Sequence, residues 1–236
     1  MEEKFLNIRE NVKFIQNKIN EAAVKSGRSE KDVRFMAVTK TVDPVYINCA
    51  IDCGIDLIGE NKVQEFLAKK DALKLEKVEK HLIGHLQSNK VRKIITEVDL
   101  IQSVDSVSLA REIERQAEKN NMTANILVEI NVGGEESKTG LEKNLLRETI
   151  AEISEMKHIA VKGLMTIPPI CENSGELRKF FNEMYNLFID IRAENSDNVS
   201  MDILSMGMSG DYEEAILCGS NLVRVGSAIF GPRIYK

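Results

Sequence analysis

Val33-Arg34-Phe35-Met36-Ala37-Val38-Thr39-Lys40 is an apolar run that ends on a lysine. The run reads as a strand, and its last residue stands where the strand hands over to a loop. In an α/β barrel the reactive groups occupy that position, and a lysine there can lose its proton and attack a carbonyl. A solvated charge capping an ordinary strand has the same local appearance, so the remainder of the chain decides between the two.

Upstream, Phe5, Ile8, Val12, Ile15, Ile19 and Ala22 recur at spacings of three and four, which predicts an amphipathic helix ending near Ser26-Gly27. Downstream, strand-like runs alternate with helical patterns. The runs are Ile55–Ile58, His81–Ile83, Leu100–Ser103, Ile126–Ile130, Ala160–Leu164, Asp202–Ser205 and Leu222–Val225, which with Val33–Val38 makes eight. Asp43-Pro44 supplies a cap and a first-turn proline before Ile47, Ala50 and Ile51. Asp105 or Ser106 caps a helix carrying Leu109, Ile113 and Ala117. Leu141, Leu145, Ile150 and Ile153 predict another helix, and Leu177 to Ile191 a longer one. Alternating βα units imply a parallel sheet with right-handed crossovers, and eight of them close into a barrel. A doubly wound open sheet is the alternative. With no linker or low-complexity tract, residues 1–236 read as one domain whose first 27 residues form a helix packed on the barrel.

Composition excludes several classes. The net charge of -5 argues against a general nucleic-acid binder, and the cluster Lys90, Arg92 and Lys93 reads as a solvated helix face. The terminus Met1-Glu2-Glu3-Lys4-Phe5 is charged, unlike a secretory signal, and no apolar run is long enough to cross a bilayer. Cys49, Cys53, Cys171 and Cys218 show no paired framework, which suits reduced thiols in a cytoplasm. Cys49 and Cys53 share a helix face, but without a second ligand pair no metal site is expected.

Leu204-Ser205-Met206-Gly207-Met208-Ser209-Gly210-Asp211 leads into a helix and is built like an anion cradle, with small residues, a hydroxyl and first-turn amides. An ordinary cap by Ser209 or Asp211 on that helix's own amides is the competing account. The next strand ends in Arg224-Val225-Gly226-Ser227, which repeats the pairing of a small residue with a hydroxyl. In (β/α)₈ barrels the loops after the seventh and eighth strands are the usual phosphate site. Arg224, alternating with Val223 and Val225, points into the barrel mouth and needs a partner, either a carboxylate such as Asp202 or a ligand atom. Asn61 and Asn89 follow the second and third strands, where each can hydrogen-bond a ligand ring or cap its own helix. His85 is a candidate proton carrier, although a lone loop histidine is more often structural or solvated.

Six ordered motifs then carry a resemblance: Ala37-Val38-Thr39-Lys40-Thr41, Gly59-Glu60-Asn61-Lys62-Val63-Gln64-Glu65, His81 to Lys90 (HLIGHLQSNK), Gly163 to Pro168 (GLMTIP), Leu204 to Ser209 (LSMGMS) and Arg224 to Gly231 (RVGSAIFG). Together they resemble the pyridoxal phosphate homeostasis proteins, over essentially the whole chain after the first helix. The resemblance implies a single (β/α)₈ barrel of the alanine-racemase N-terminal type, fold type III, that binds pyridoxal 5′-phosphate as a Schiff base on Lys40. It further implies that Arg224 faces the pyridine nitrogen, that Ser209, Gly226 and Ser227 hold the phosphate with Gly210 beside them, and that Asn61 lies by the ring. Gly210 and Ser227 replace residues that are larger, or threonine, in many relatives; each keeps the small or hydroxylic character the role needs.

Chemistry points to a carrier rather than an enzyme. A cationic arginine at the pyridine nitrogen disfavours its protonation and weakens the electron sink. Racemisation also needs a second acid or base on the opposite face, supplied in the racemases by a tyrosine of an additional β domain, and this chain stops at Lys236. The expectation is a cytoplasmic protein that binds and buffers pyridoxal phosphate without turnover, with delivery to apo-enzymes that use the cofactor as a further expected role, that touches neither nucleic acid nor membrane, and that is a monomer or weak dimer. A racemase or decarboxylase using Lys40, alone or with His85, is the alternative.

Overall fold

The computed structural model describes residues 2–135, 138–194 and 197–232. Residue 1 and residues 233–236, included in the expected domain, lie outside them.

Eight parallel strands close into a barrel in sequence order: β1 (Arg34–Val38), β2 (Leu57–Glu60), β3 (Glu79–Leu82), β4 (Leu100–Val104), β5 (Ala124–Ile130), β6 (Ile159–Thr166), β7 (Val199–Ser205) and β8 (Leu222–Val225). Closure is made by β1 against β8, with Met36 opposite Arg224. Helix α1 (Glu2–Lys25) precedes the barrel, and α2 (Pro44–Asp52), α3 (Val63–Lys69), α4 (Ser88–Ile94), α5 (Val107–Lys119), α6 (Leu146–Ser154), α7 (Ser174–Arg192), α8 (Tyr212–Leu217) and α9 (Ser227–Phe230) follow successive strands.

Strand alternation sorts the side chains into two layers. In β1, Phe35 and Ala37 join the large outer core beneath the helices, whereas Met36 and Val38 join Leu57, Ile83 and Leu222 inside the barrel. Leu100, Leu127 and Met165 form a second interior cluster, and Ile203 packs on both. Val223 and Val225 go outward in β8, which leaves Arg224 inside.

The apolar stripe of α1 is used on the barrel. Ile8, Val12, Ile15, Ile19, Ala22 and Ala23 are buried, and the helix packs against α2, α8 and α9. Asn11 Nδ2 donates to Ile229 O at 3.0 Å, and Arg28 donates to the carbonyls of Ile216, in the last turn of α8, and of Gly219 and Ser220 just beyond it. Asp43 and Ser106 cap α2 and α5 through side-chain acceptors, with Pro44 in the first turn of α2.

Two expectations shift. The second strand runs Leu57–Glu60, so Gly59 and Glu60 lie within it rather than after it. A polar residue prolongs the strand because Glu60 finds a buried cation, Lys69, and a glycine precedes it because a Cβ at residue 59 would stand 2.3 Å from Met36 Sδ. Leu141 leaves the predicted helix: it bridges to Ile130, and the α-helix begins at Leu146.

Gly59→Ala is expected to lower stability by about 1–3 kcal/mol, because Met36 must leave its rotamer in a filled barrel interior. The urea midpoint should fall at unchanged slope; an unchanged midpoint would show that Met36 yields without strain.

Candidate functional site

Lys40 follows β1 by two residues, on a turn with an unusual backbone. Thr41 has φ 62°, the left-handed region that a β-branched residue rarely enters. A buried polar cluster holds this turn. Lys69, on α3, forms ion pairs with Glu60 and with Glu65, the latter at 3.1 Å, and donates to Thr39 O at 2.8 Å. Thr39 Oγ1 donates to Glu60 Oε2 at 3.1 Å, Asn61 N–H donates to Glu60 Oε1 at 2.8 Å, and the Thr41 amide donates to the Glu65 carboxylate. One ammonium with two carboxylates thus ties the residues on both sides of Lys40 to β2 and α3. Lys69 and Glu60 are both buried, so the polar groups that enter the core do so as partners.

A cavity of about 450 Å³ is lined by Lys40, Val38, Gly226 and Ser227 at the carboxyl ends of β1 and β8, with Lys4 and Tyr46 on its outer wall. Ser209 adjoins it: its Oγ accepts from the amides of Gly226 at 3.2 Å and Ala228 at 3.3 Å. The two small-residue turns are therefore joined, as their sequences suggested. Asp211 stands at the N-cap of α8, but its side chain bonds none of that helix's amides; Oδ1 takes the Met208 amide instead. Gly226 permits close approach, since a Cβ there would come within 3.3 Å of Val38. Gly210 is exposed, and a Cβ would meet nothing.

Arg224 is buried across the mouth. NH1 donates to Ser205 Oγ at 2.6 Å and NH2 to Thr166 O at 2.8 Å, groups that end β7 and β6. Asp202 is not its partner: that carboxylate is exposed and accepts from Ser200, because strand alternation turns residue 202 away from residue 205. Burial pushes the guanidinium down to about 10, opposed by Glu129 and Asp211, so it stays cationic at neutral pH. Burial in turn raises Glu129, although Thr139 Oγ1 donates to it at 2.8 Å. Asn61 Oδ1 is a buried acceptor without a hydrogen-bond partner. Asn89 is exposed in the first turn of α4 and does not line the cavity, and the half-exposed His85 stands with Nδ1 3.5 Å from Asp105. The histidine inside the barrel is His81, which the sequence reading passed over; it sits mid-strand, two residues after Glu79. Among the described residues no group of three or more His, Cys, Asp or Glu is placed to hold a metal ion.

At the other end of the interior, Glu79 lies 2.6 Å from His81 Nε2 and 2.6 Å from Arg34 NH2. The hydrogen bond from His81, then that from Arg34, hold its carboxyl at about 2 against an ordinary 4.5. A depressed carboxyl contributes stability that is complete above its unfolded value and is lost as pH falls through its folded one. The parent protein should therefore lose stability more steeply than Glu79→Gln between pH 4.5 and about 2 in urea titrations. Parallel curves would exclude that role for Glu79.

Comparisons with known proteins give a consistent picture. The family described as alanine racemase, N-terminal domain, matches residues 7–233. A pyridoxal phosphate homeostasis protein of Aquifex aeolicus (strain VF5) is 42% identical, over 98% of this chain and 100% of its own length. One from Haemophilus influenzae is 36% identical, over 98% of each. Among solved structures, a Bifidobacterium adolescentis protein described as unknown superposes with a TM-score of 0.93 at 37% identity, covering 98% of this chain and 97% of that one. PipY of Synechococcus elongatus PCC7942, solved with PLP bound, superposes at 0.80 and 29% identity, covering 91% and 99%. An alanine racemase of Clostridium difficile 630 shares the fold, with a TM-score of 0.74 at 17% identity; the match covers 95% of this chain but 60% of the racemase.

Proposed function

This chain belongs to the pyridoxal phosphate homeostasis protein family, and from that premise we propose that it holds pyridoxal phosphate at the mouth of the barrel, anchored on Lys40, without turning over a substrate. Bound there, pyridoxal phosphate supplies an aldehyde that a lysine amine captures reversibly. The observation that carries the reading is the shared cavity: Lys40, Gly226 and Ser227 line it, and Ser209 is tied to its wall.

The residues fit the group. Lys40 offers the amine, Ser209 and Ser227 offer hydroxyls beside small Gly210 and Gly226, and Arg224 offers a fixed cation to the ring nitrogen. Asn61 brings a buried acceptor with no protein partner. Asn89, exposed, would serve only at the rim. Because Arg224 remains cationic at neutral pH, it disfavours protonation of the ring nitrogen and weakens the ring as an electron sink. The full-length match to homeostasis proteins supports binding without turnover. No described helix is long and apolar enough to cross a membrane, and the four cysteines are free. We place the protein in a reducing cytoplasm, as a monomer or weak dimer that supplies apo-enzymes using the cofactor.

The test is to incubate the protein with pyridoxal phosphate, reduce with borohydride and map the modified peptide, while following optical rotation of L-amino acids. A phosphopyridoxyl group confined to Lys40, with rotation unchanged, supports the reading. Scattered labelling would remove the site, and loss of rotation would make the protein an enzyme, a racemase or a decarboxylase.

A further inference from the structure

Arg224 stands at one end of a hydrogen-bonded chain that crosses the barrel interior. Its NH1 donates to Ser205 Oγ; that hydroxyl donates to Gln102 Oε1 at 2.7 Å; Gln102 Nε2 lies 2.8 Å from His81 Nδ1; and His81 Nε2 reaches Glu79. The links come from β8, β7, β4 and β3. Arg224, Ser205, Gln102 and His81 are all buried, while Glu79 and its partner Arg34 reach solvent.

The polarity of every link is determined. An amide nitrogen only donates, so His81 Nδ1 accepts, and a neutral imidazole then carries its hydrogen on Nε2. That hydrogen meets Glu79, an ionised carboxylate and therefore acceptor only. The Gln102 carbonyl oxygen consequently faces Ser205, the serine hydrogen is committed to it, and a serine lone pair is left for Arg224. The charges around His81 are Glu79, Arg34 and Asp99; burial, with Arg34 acting in the same direction, outweighs Glu79 and Asp99 and lowers its pKa, which suits the neutral form. Reversing one link would leave a buried donor facing a donor.

We propose that His81 and Gln102 are positioning residues: through Ser205 they carry the polarity set by the Glu79 carboxylate to Arg224 and fix the guanidinium plane as a rigid donor for the ring nitrogen of pyridoxal phosphate. Two of the five guanidinium N–H groups are spent on Ser205 and Thr166, which orients the remainder. The proposal rests on the reading of Arg224 given above.

Its first test needs no cofactor. Long-range ¹H–¹⁵N correlation in the free protein should show His81 neutral and protonated on Nε2 between about pH 6 and 8. An Nδ1–H tautomer or an imidazolium would overturn the relay. The second test loads the protein with ring-¹⁵N pyridoxal phosphate. Gln102→Leu, or Ser205→Ala if that variant does not fold, should shift the ring resonance and release the cofactor about tenfold faster, the effect of one buried hydrogen bond. Borohydride should still label Lys40. Ile113→Val, buried in the outer core on α5 and off the chain, should leave the ring resonance in place. An unmoved resonance in Gln102→Leu and Ser205→Ala would overturn the positioning role. A parent with the Nε2–H tautomer that captures no cofactor on Lys40 would overturn the reading of the site, and the link to the ring with it.

Discussion

Lys40→Ala is expected to give a folded barrel that pyridoxal phosphate no longer labels after borohydride reduction. Lys40 is only partly buried and follows the strand, so its removal opens no core cavity, and stability should change by less than about 1 kcal/mol. The amine, in contrast, has no substitute: Lys4 also lines the cavity, but from α1, with its Nζ 3.9 Å from the centre of the Tyr46 ring. Noncovalent binding by the phosphate and ring contacts should survive in weakened form, visible by equilibrium dialysis. A variant that still takes a single reducible label would move the anchor to another lysine. Labelling lost together with the circular-dichroism signal would report unfolding, a result the near-neutral stability expected of this variant rules against.

Lys69→Met is expected to be the most destabilising change near the site, by about 3–5 kcal/mol, since breaking one side of a buried pair strands the other. The stranded group is Glu60, whose side chain is 2% exposed. Thr39 and Asn61 still donate to it, but neither neutralises it. The loss also reaches function. Without the ammonium, Thr39 O and Glu65 lose their common partner, and Glu65 is the acceptor that holds the left-handed Thr41. Capture of pyridoxal phosphate on Lys40 should slow accordingly. The double variant Lys69→Met/Glu60→Gln removes both charges and should recover much of the stability in chemical denaturation. If the double variant were no more stable than the single one, the buried pair would not be the cause.

Neither Lys69 nor Glu60 was singled out by reading the chain, although both lie in or beside a quoted motif. Glu65 and Lys69 stand at i and i+4, a spacing that an exposed helix face shows equally often. Their burial depends on α3 lying against the end of β2, which no local pattern states. His81 and His85 make the same point. Loop position drew attention to His85, which proves half-exposed, while His81 occupies an inward strand position behind Glu79. Asn89 stands exposed for a related reason: the segment after β3 begins the next helix, and its first turn faces solvent.

What the residues determined unaided was periodic: eight apolar runs, the helices between them, the amphipathic first helix, and lysine and small-residue turns at strand ends. Strand and helix periods are local properties of the backbone, so they survive in a one-dimensional reading. Strand alternation was also enough to send Arg224 inward. The tertiary structure alone decided which polar groups meet. Closure of β1 on β8 put Met36 opposite Arg224 and Lys40 beside Gly226, and barrel stagger brought Ser205, Gln102 and His81 from three strands into one chain. Such contacts join residues from opposite ends of the chain, as Met36 and Arg224 do, or from its middle and end, as Gln102 and Ser205 do. They are selected by the high cost of burying an unpaired polar group, a condition that applies only once the barrel has closed around it.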